Sequence, residues 1–247
     1  MAIDWRSLWR EPLFRAGLSL KVVLILLCLP EIQEQWFVPF VVSAIEQPTL
    51  SPWTQFLQQG GDPLAFPYGP IMLLAHLPTV LLGWLADLLL GVNYFAAVGF
   101  RVSLLLADLL IIFLLSRTFS EHLRQIVIYY WLSPLLIYIT YWHGQTDIIP
   151  VSFLMLGLFL LKMNQITWSA TSIALAIAAK ISMAIIVPFF LIYLWINKKL
   201  RHFTVPFIFT LSIVVLSLQG PFLLTEGLQK MLLGNREIGK IYLLAAQ

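Results

Sequence analysis

The chain has 247 residues, 60% of them hydrophobic and 11% charged, with a mean hydropathy of +0.88. A soluble domain is closer to about 45–50% apolar and about 25% charged, so lipid must be the solvent for most of this sequence. The net charge of +3 comes with no basic cluster interleaved with aromatic residues, which leaves nucleic acid without a binding surface.

In lipid every backbone polar group needs an internal partner, and only helices and closed barrels provide one. Barrel strands alternate strictly over about ten residues. The apolar runs 22–29, 104–115 and 151–161 show no such alternation. The expected fold is therefore all-α: a polytopic transmembrane helical bundle of about seven or eight membrane segments, some shorter than the ~20 residues of a full span. Candidate segments lie near 16–30, 70–90, 95–116, 125–142, 146–163, 167–181, 182–196 and 203–224. They form one domain over 1–247.

In chain order, Arg6, Arg10, Arg15 and Lys21 precede or begin the first segment and place the N-terminus on the cytoplasmic side. That segment ends at Pro30-Glu31 without a small-residue cleavage site, so it is a span rather than a signal peptide. It contains the lone Cys28, read as a packed thiol. Residues 31–69 hold no Lys or Arg but do hold Glu31, Glu34, Glu46 and Asp62, which marks a long non-cytoplasmic loop. Its Trp36, Phe37, Phe40, Trp53, Phe56, Phe66 and Tyr68 are interfacial anchors, and short surface helices are expected around 34–46 and 51–59. Gly60-Gly61-Asp62-Pro63 is a turn signal.

Arg117 and Arg124 return the chain to the cytoplasmic side, so an odd number of crossings must separate them from Pro70. The preferred solution is a re-entrant 70–90, broken at Pro78. Arg101 and Asp108 lie seven apart on one helical face, where they either line a cavity or join neighbouring helices. Asp87 lies near a helix end. Trp142-His143-Gly144-Gln145-Thr146-Asp147 packs four polar side chains between two apolar helices, on the side of the long loop. Lys162 and the run Lys198, Lys199, Arg201 are cytoplasmic. The segments 167–181 and 182–196 form a hairpin whose tip, Lys180, calls for an anionic partner.

The order of these motifs resembles the GT-C superfamily of membrane glycosyltransferases, and in particular the first mannosyltransferase of GPI-anchor assembly and its bacterial relatives. The series is Gly60-Gly61-Asp62-Pro63, Phe66-Pro67-Tyr68-Gly69-Pro70, Ala107-Asp108-Leu109-Leu110 with Arg117, Trp131-Leu132-Ser133-Pro134, His143-Gly144-Gln145-Thr146-Asp147-Ile148, and Ala178-Ala179-Lys180-Ile181 with Pro188. The resemblance implies transfer of a sugar, a hexose such as mannose, from a polyprenyl-phosphate donor to a lipid-linked or glycan acceptor on the non-cytoplasmic side, with inversion. It implies a catalytic carboxylate in the first loop. Glu46 stands where the second aspartate of an Asp-x-Asp pair would be, with Asp62, Glu31 and Glu34 as alternatives. The pair itself is absent, position 44 being Ala44; a divalent cation is a candidate cofactor. Tyr68, His143, Gln145, Asp147 and Lys180 would hold the sugar or the donor phosphate. The expected setting is a multi-pass protein of the bacterial inner membrane, in contact with membrane lipids. Superfamily members are usually longer, so a fragment, or a module with a partner subunit, is expected; the basic residues after the last segment are Lys230, Arg236 and Lys240. The alternative function is a membrane transporter or lipid flippase, and the blandest a scaffold subunit.

Overall fold

The structure, a computed structural model, describes residues 5–233; Arg236 and Lys240 lie outside them. All regular structure among the described residues is helical. A short α1 (Trp5–Arg10) leads into α2 (Pro12–Leu27), which has proline in its first turn, where the missing N–H costs nothing, and ends in extended backbone before Pro30. The first loop then folds as a π-turn (Gln33–Phe37) running into α3 (Val38–Glu46), followed by α4 (Pro52–Gln58). Both helices fall where expected, but Phe37, Phe40, Trp53, Phe66 and Tyr68, read from sequence as interfacial anchors, are buried in the core, because the first loop packs down onto the two long helices that follow it.

Next come α5 (Pro70–Leu90) and α6 (Phe95–Thr118). Pro78 does not break α5, contrary to the expectation from sequence: the helix is continuous through it. A proline removes one backbone bond and crowds the preceding turn, which neighbouring helices and hydroxyl side chains can compensate in an apolar setting. Here the Thr79 hydroxyl donates to the His76 carbonyl at 3.1 Å. The tight turn between the helices is fixed from both sides. Gly91 adopts a left-handed conformation (φ 67°), and the Asp87 carboxylate accepts from the amides of Tyr94, Phe95 and Ala96 at 2.9, 2.7 and 2.8 Å. Asp87 thereby satisfies the open N-terminus of α6.

The expected segment 125–142 is two pieces: α7 (Leu123–Ile126) widening into a π-turn (Val127–Trp131), and α8 (Pro134–Ile137) widening into another (Tyr138–Trp142). Pro134 bars a helical conformation at Ser133, and the chain kinks there. The remainder is α9 (Ile148–Lys162), α10 (Ile166–Ala179), a 3-10 turn (Ile181–Ile186) into α11 (Val187–Ile196), α12 (Thr204–Leu223) and α13 (Glu226–Leu233). Among the described residues three helices are long and apolar enough to cross a membrane: α5, α6 and Arg201–Leu223. α9, α10 and Ile181–Ile196 are apolar but shorter.

Contacts between the helices define two ends of the bundle. Helix α2 runs antiparallel to α6, with Trp5 stacked on Phe113 and Arg101 reaching the last carbonyls of α2. Lys162, closing α9, donates to the Thr118 carbonyl at 2.9 Å, so α6 and α9 finish at the same end. α9 and α10 form an antiparallel hairpin sealed by Ser169 to Gly157 (2.8 Å) and Ser172 to Phe153 (2.7 Å). The N-terminal ends of α6 and α9 therefore share one end with the C-terminal ends of α2 and α10. Gln33 of the first loop bonds the Gly144 carbonyl and fixes the loop at that same end. Helix α5 starts against α10, through Gly69 N to Ala179 O at 2.9 Å, and finishes beside α2, where the Tyr94 hydroxyl bonds the Leu26 carbonyl. It packs antiparallel along α6, with Gly83 against Phe95, Thr79 against Gly99 and His76 against Ser103, so its start lies beside the middle of α6 and its end beside the start of α6.

Lys21 is not a surface charge. It is buried in the bundle and its ammonium meets the Asp108 carboxylate at 2.7 Å, 3.3 Å above the Trp131 ring centroid. Tyr130 and Tyr141 hydroxyls also donate to Asp108, at 2.8 and 2.7 Å. Arg101 donates to the carbonyls of Leu24, Ile25 and Cys28 and, at 2.5 Å, of Tyr141. Of the two readings of Arg101 and Asp108, the structure supports the one in which they join helices.

Candidate functional site

The starts of α5 and α9 and the end of α10 converge at the first-loop end. Phe66-Pro67-Tyr68-Gly69 delivers the chain to α5, and Gly69 sits so close to α10 that a Cβ there would collide with the Ala178 carbonyl. The buried alanines Ala176, Ala178 and Ala179 allow this approach, as small residues do between membrane helices. Tyr68 is buried against Phe37 (5.6 Å between ring centroids) and Phe66 (5.2 Å). Burial pushes its pKa up to about 12, the nearby Thr146 hydroxyl opposing the rise and the Asp147 charge adding to it. Tyr68 is therefore a neutral phenol over the working pH range.

Asp147 opens α9. The loop before it turns at Gly144 (φ 86°), where a Cβ would stand 2.7 Å from Pro30 and 3.0 Å from Gln33. That turn, held by Gln33 Nε2 to Gly144 O at 2.9 Å, clamps the polar cluster onto the first loop. Lys180 closes α10 in extended conformation and pairs with the Asp147 carboxylate, 5.9 Å from the Tyr68 ring centroid. The pair is open: the side chains of Lys180 and Asp147 are 29% and 45% exposed. Two helix N-termini, those of α5 and α9, lie beside it and add positive potential. A phosphate arriving here can compete for the ammonium and release the carboxylate to accept a proton.

The other expected site residues lie elsewhere. Glu46 accepts from Trp84 Nε1 at 3.1 Å and lines a groove of about 490 Å³ with Glu34, Val38, Val42 and Asn93. The opposite face of α3, carrying Phe40 and Val41, packs with Phe37 of the preceding π-turn into the core that includes Tyr68. The α3 helix thus separates Glu46 from the Lys180–Asp147 pair. Asp62 is exposed and spends one oxygen on the amide of Leu64 at 2.7 Å, a local turn bond. His143 is exposed and stacks on Tyr138, 6.2 Å between ring centroids. Gln145 is half-buried, its amide held by the Ile139 carbonyl at 3.0 Å. The donor set for a divalent cation does not assemble: among the described residues no three His, Cys, Asp or Glu side chains group as a metal site requires.

Two residues of this end were missed from sequence. Gln219 of α12 is buried beside Gly69 and donates to the Ile177 carbonyl at 2.9 Å. Gln33 is buried in the π-turn before α3. For Gln219 the available signal was an isolated glutamine in an apolar run, which is expensive at membrane depth unless paired; Gln33 stands among Glu31, Glu34 and Gln35 and carried no such signal.

No curated protein and no solved structure matches this chain. A family model does, over residues 66–230: glycosyltransferase family 87. The matched region begins just before Tyr68 and takes in Asp147, Lys180 and Gln219. The match narrows the resemblance to a membrane glycosyltransferase and does not point to the first GPI mannosyltransferase in particular. It also counts against the transporter, flippase and scaffold readings. The chain is an integral membrane protein that belongs to glycosyltransferase family 87.

Proposed function

We propose that the chain transfers a sugar, a hexose such as mannose, from a polyprenyl-phosphate donor to a lipid-linked or glycan acceptor, at the end of the bundle that carries the first loop. The observation that carries this reading is the open Lys180–Asp147 pair beside neutral Tyr68. Lys180, aided by the α5 and α9 N-termini, offsets the donor phosphate. Asp147, released from its ammonium, takes the proton of the acceptor hydroxyl. The acceptor oxygen bonds the anomeric carbon as the bond from that carbon to the phosphate oxygen breaks, and polyprenyl phosphate leaves with the electron pair. One base and direct displacement give inversion, by analogy with inverting glycoside chemistry. Tyr68 donates a hydrogen bond to the sugar or phosphate.

Orientation follows from charge: Arg6, Arg10 and Arg15 against a first loop without Lys or Arg put this end on the non-cytoplasmic face. A bacterial inner membrane is the proposed setting. A second reading keeps Glu46 as the base, favoured by its groove with Glu34 and Trp84.

The test is sugar transfer in membranes containing the protein, with a panel of radiolabelled polyprenyl-phosphate sugars and the variants Asp147→Asn and Glu46→Gln. Loss with Asp147→Asn alone supports the first reading, and loss with Glu46→Gln alone the second. Undiminished transfer in both variants refutes both.

A further inference from the structure

At the opposite end of the bundle α9 and α11 part to leave a cavity of about 500 Å³. Its basic end, at Lys162, lies about 22 Å from Asp147, the length of α9 at 1.5 Å per residue. Its lining is graded along the helix axes. Lys162, Asn164, Asn197 and Lys199 sit at the helix ends and turns, whereas Leu158 and Phe189 lie a turn or more farther in. None of the described residues lining it is a carboxylate. Leu158, Phe189 and Tyr193 are exposed, so the cavity opens sideways on the apolar flank of the bundle.

We propose that this cavity binds an anionic phospholipid of the adjacent leaflet. The headgroup phosphate would sit at the level of Lys162 and Lys199 and one acyl chain along Leu158, Phe189 and Phe190. Charge complementarity selects the headgroup, since two ammonium groups face the cavity with no lining carboxylate to cancel them. Lys162 already spends one N–H on the Thr118 carbonyl, and its remaining N–H groups are available to a phosphate. The apolar wall selects a lipid over a free anion, because inorganic phosphate would leave Leu158 and Phe189 uncovered. Such a lipid would brace the junction of α6, α9 and α11.

The test uses the full-length protein purified in neutral detergent, with thermal unfolding and native mass spectrometry as readouts. The probes are phosphatidylglycerol, phosphatidylcholine of the same acyl chains, and inorganic phosphate. Phosphatidylglycerol should stay bound and raise the melting temperature, while the other two do neither. Each lysine neutralised should weaken phosphatidylglycerol about fivefold. Lys162→Gln removes the bond to Thr118 as well, so Lys199→Gln is the cleaner variant, and Lys199→Arg should retain binding. Equal retention of phosphatidylcholine, an equal shift with inorganic phosphate, or undiminished binding in Lys199→Gln with Lys162→Gln would each overturn the proposal.

Discussion

Lys21–Asp108 and Lys180–Asp147 are the same chemical pair in two settings. The first has 2% and 3% of its side chains exposed, and Tyr130, Tyr141 and the Trp131 ring complete its shell. The second has 29% and 45% exposed and ends two helices rather than joining two interiors. A sealed pair cannot exchange partners without leaving a buried charge unpaired, which costs several kcal/mol. An open pair can, because water and an incoming anion compensate each partner. Burial thus separates an ionic contact that builds the bundle from the one to which the proposed function assigns substrate.

The comparison breaks first, and hardest, at Asp108. Asp108→Ala leaves the Lys21 ammonium buried and two tyrosine hydroxyls without an acceptor, and should cost about 3–5 kcal/mol in thermal unfolding of the purified protein. The double change Lys21→Met with Asp108→Leu should recover most of that loss, since an apolar pair of similar volume replaces the charges. Asp147→Asn should do the reverse: transfer falls about 10²–10⁴-fold, while unfolding moves by about 1 kcal/mol or less. Lys180→Met should raise the KM for the donor about tenfold or more, as expected for a lost charge-assisted bond to phosphate.

Smaller effects sharpen the comparison. Tyr68→Phe removes a hydroxyl worth about 0.5–1.5 kcal/mol. Because the folded-state pKa of Tyr68 is raised from 10.0 to about 12, its stabilising contribution is complete below its ordinary pKa and fades as pH rises toward about 12. Stability measured against pH in that alkaline window should therefore fall more gently in Tyr68→Phe than in the native protein. Glu46→Gln should change transfer only about twofold, as for a surface substitution. A large loss there would move the base to the groove beside Trp84.

The placement of the first-loop helices was legible in the sequence, because proline starts and turn residues are local signals, but that their aromatics pack into the core rather than at a membrane interface was not. The hairpin at Lys180 was legible for the same reason: Lys180-Ile181-Ser182 and Pro188 interrupt an otherwise apolar run. Glu46 and Asp62 stood ahead of Asp147 as candidate bases, since sequence shows charge but not which face of a helix another element covers. Lys21 looked like an orientation charge because it sits near the start of a span, and only the packing of α2 against α6 and the π-turn at Trp131 shows it buried.

By itself the sequence determined the solvent, the helical class, the polar ends of the helices and the order of motifs that resembles membrane glycosyltransferases. Each of these depends on composition or on neighbours within a few residues. The tertiary structure alone decided that α5 packs antiparallel along α6, that Asp108 is sealed and Asp147 open, and that Tyr68 and Lys180 meet. Those outcomes depend on contacts between residues distant in the chain, such as Gly69 with Ala178 and Gln33 with Gly144, where the absence of a single Cβ sets how closely two backbones approach.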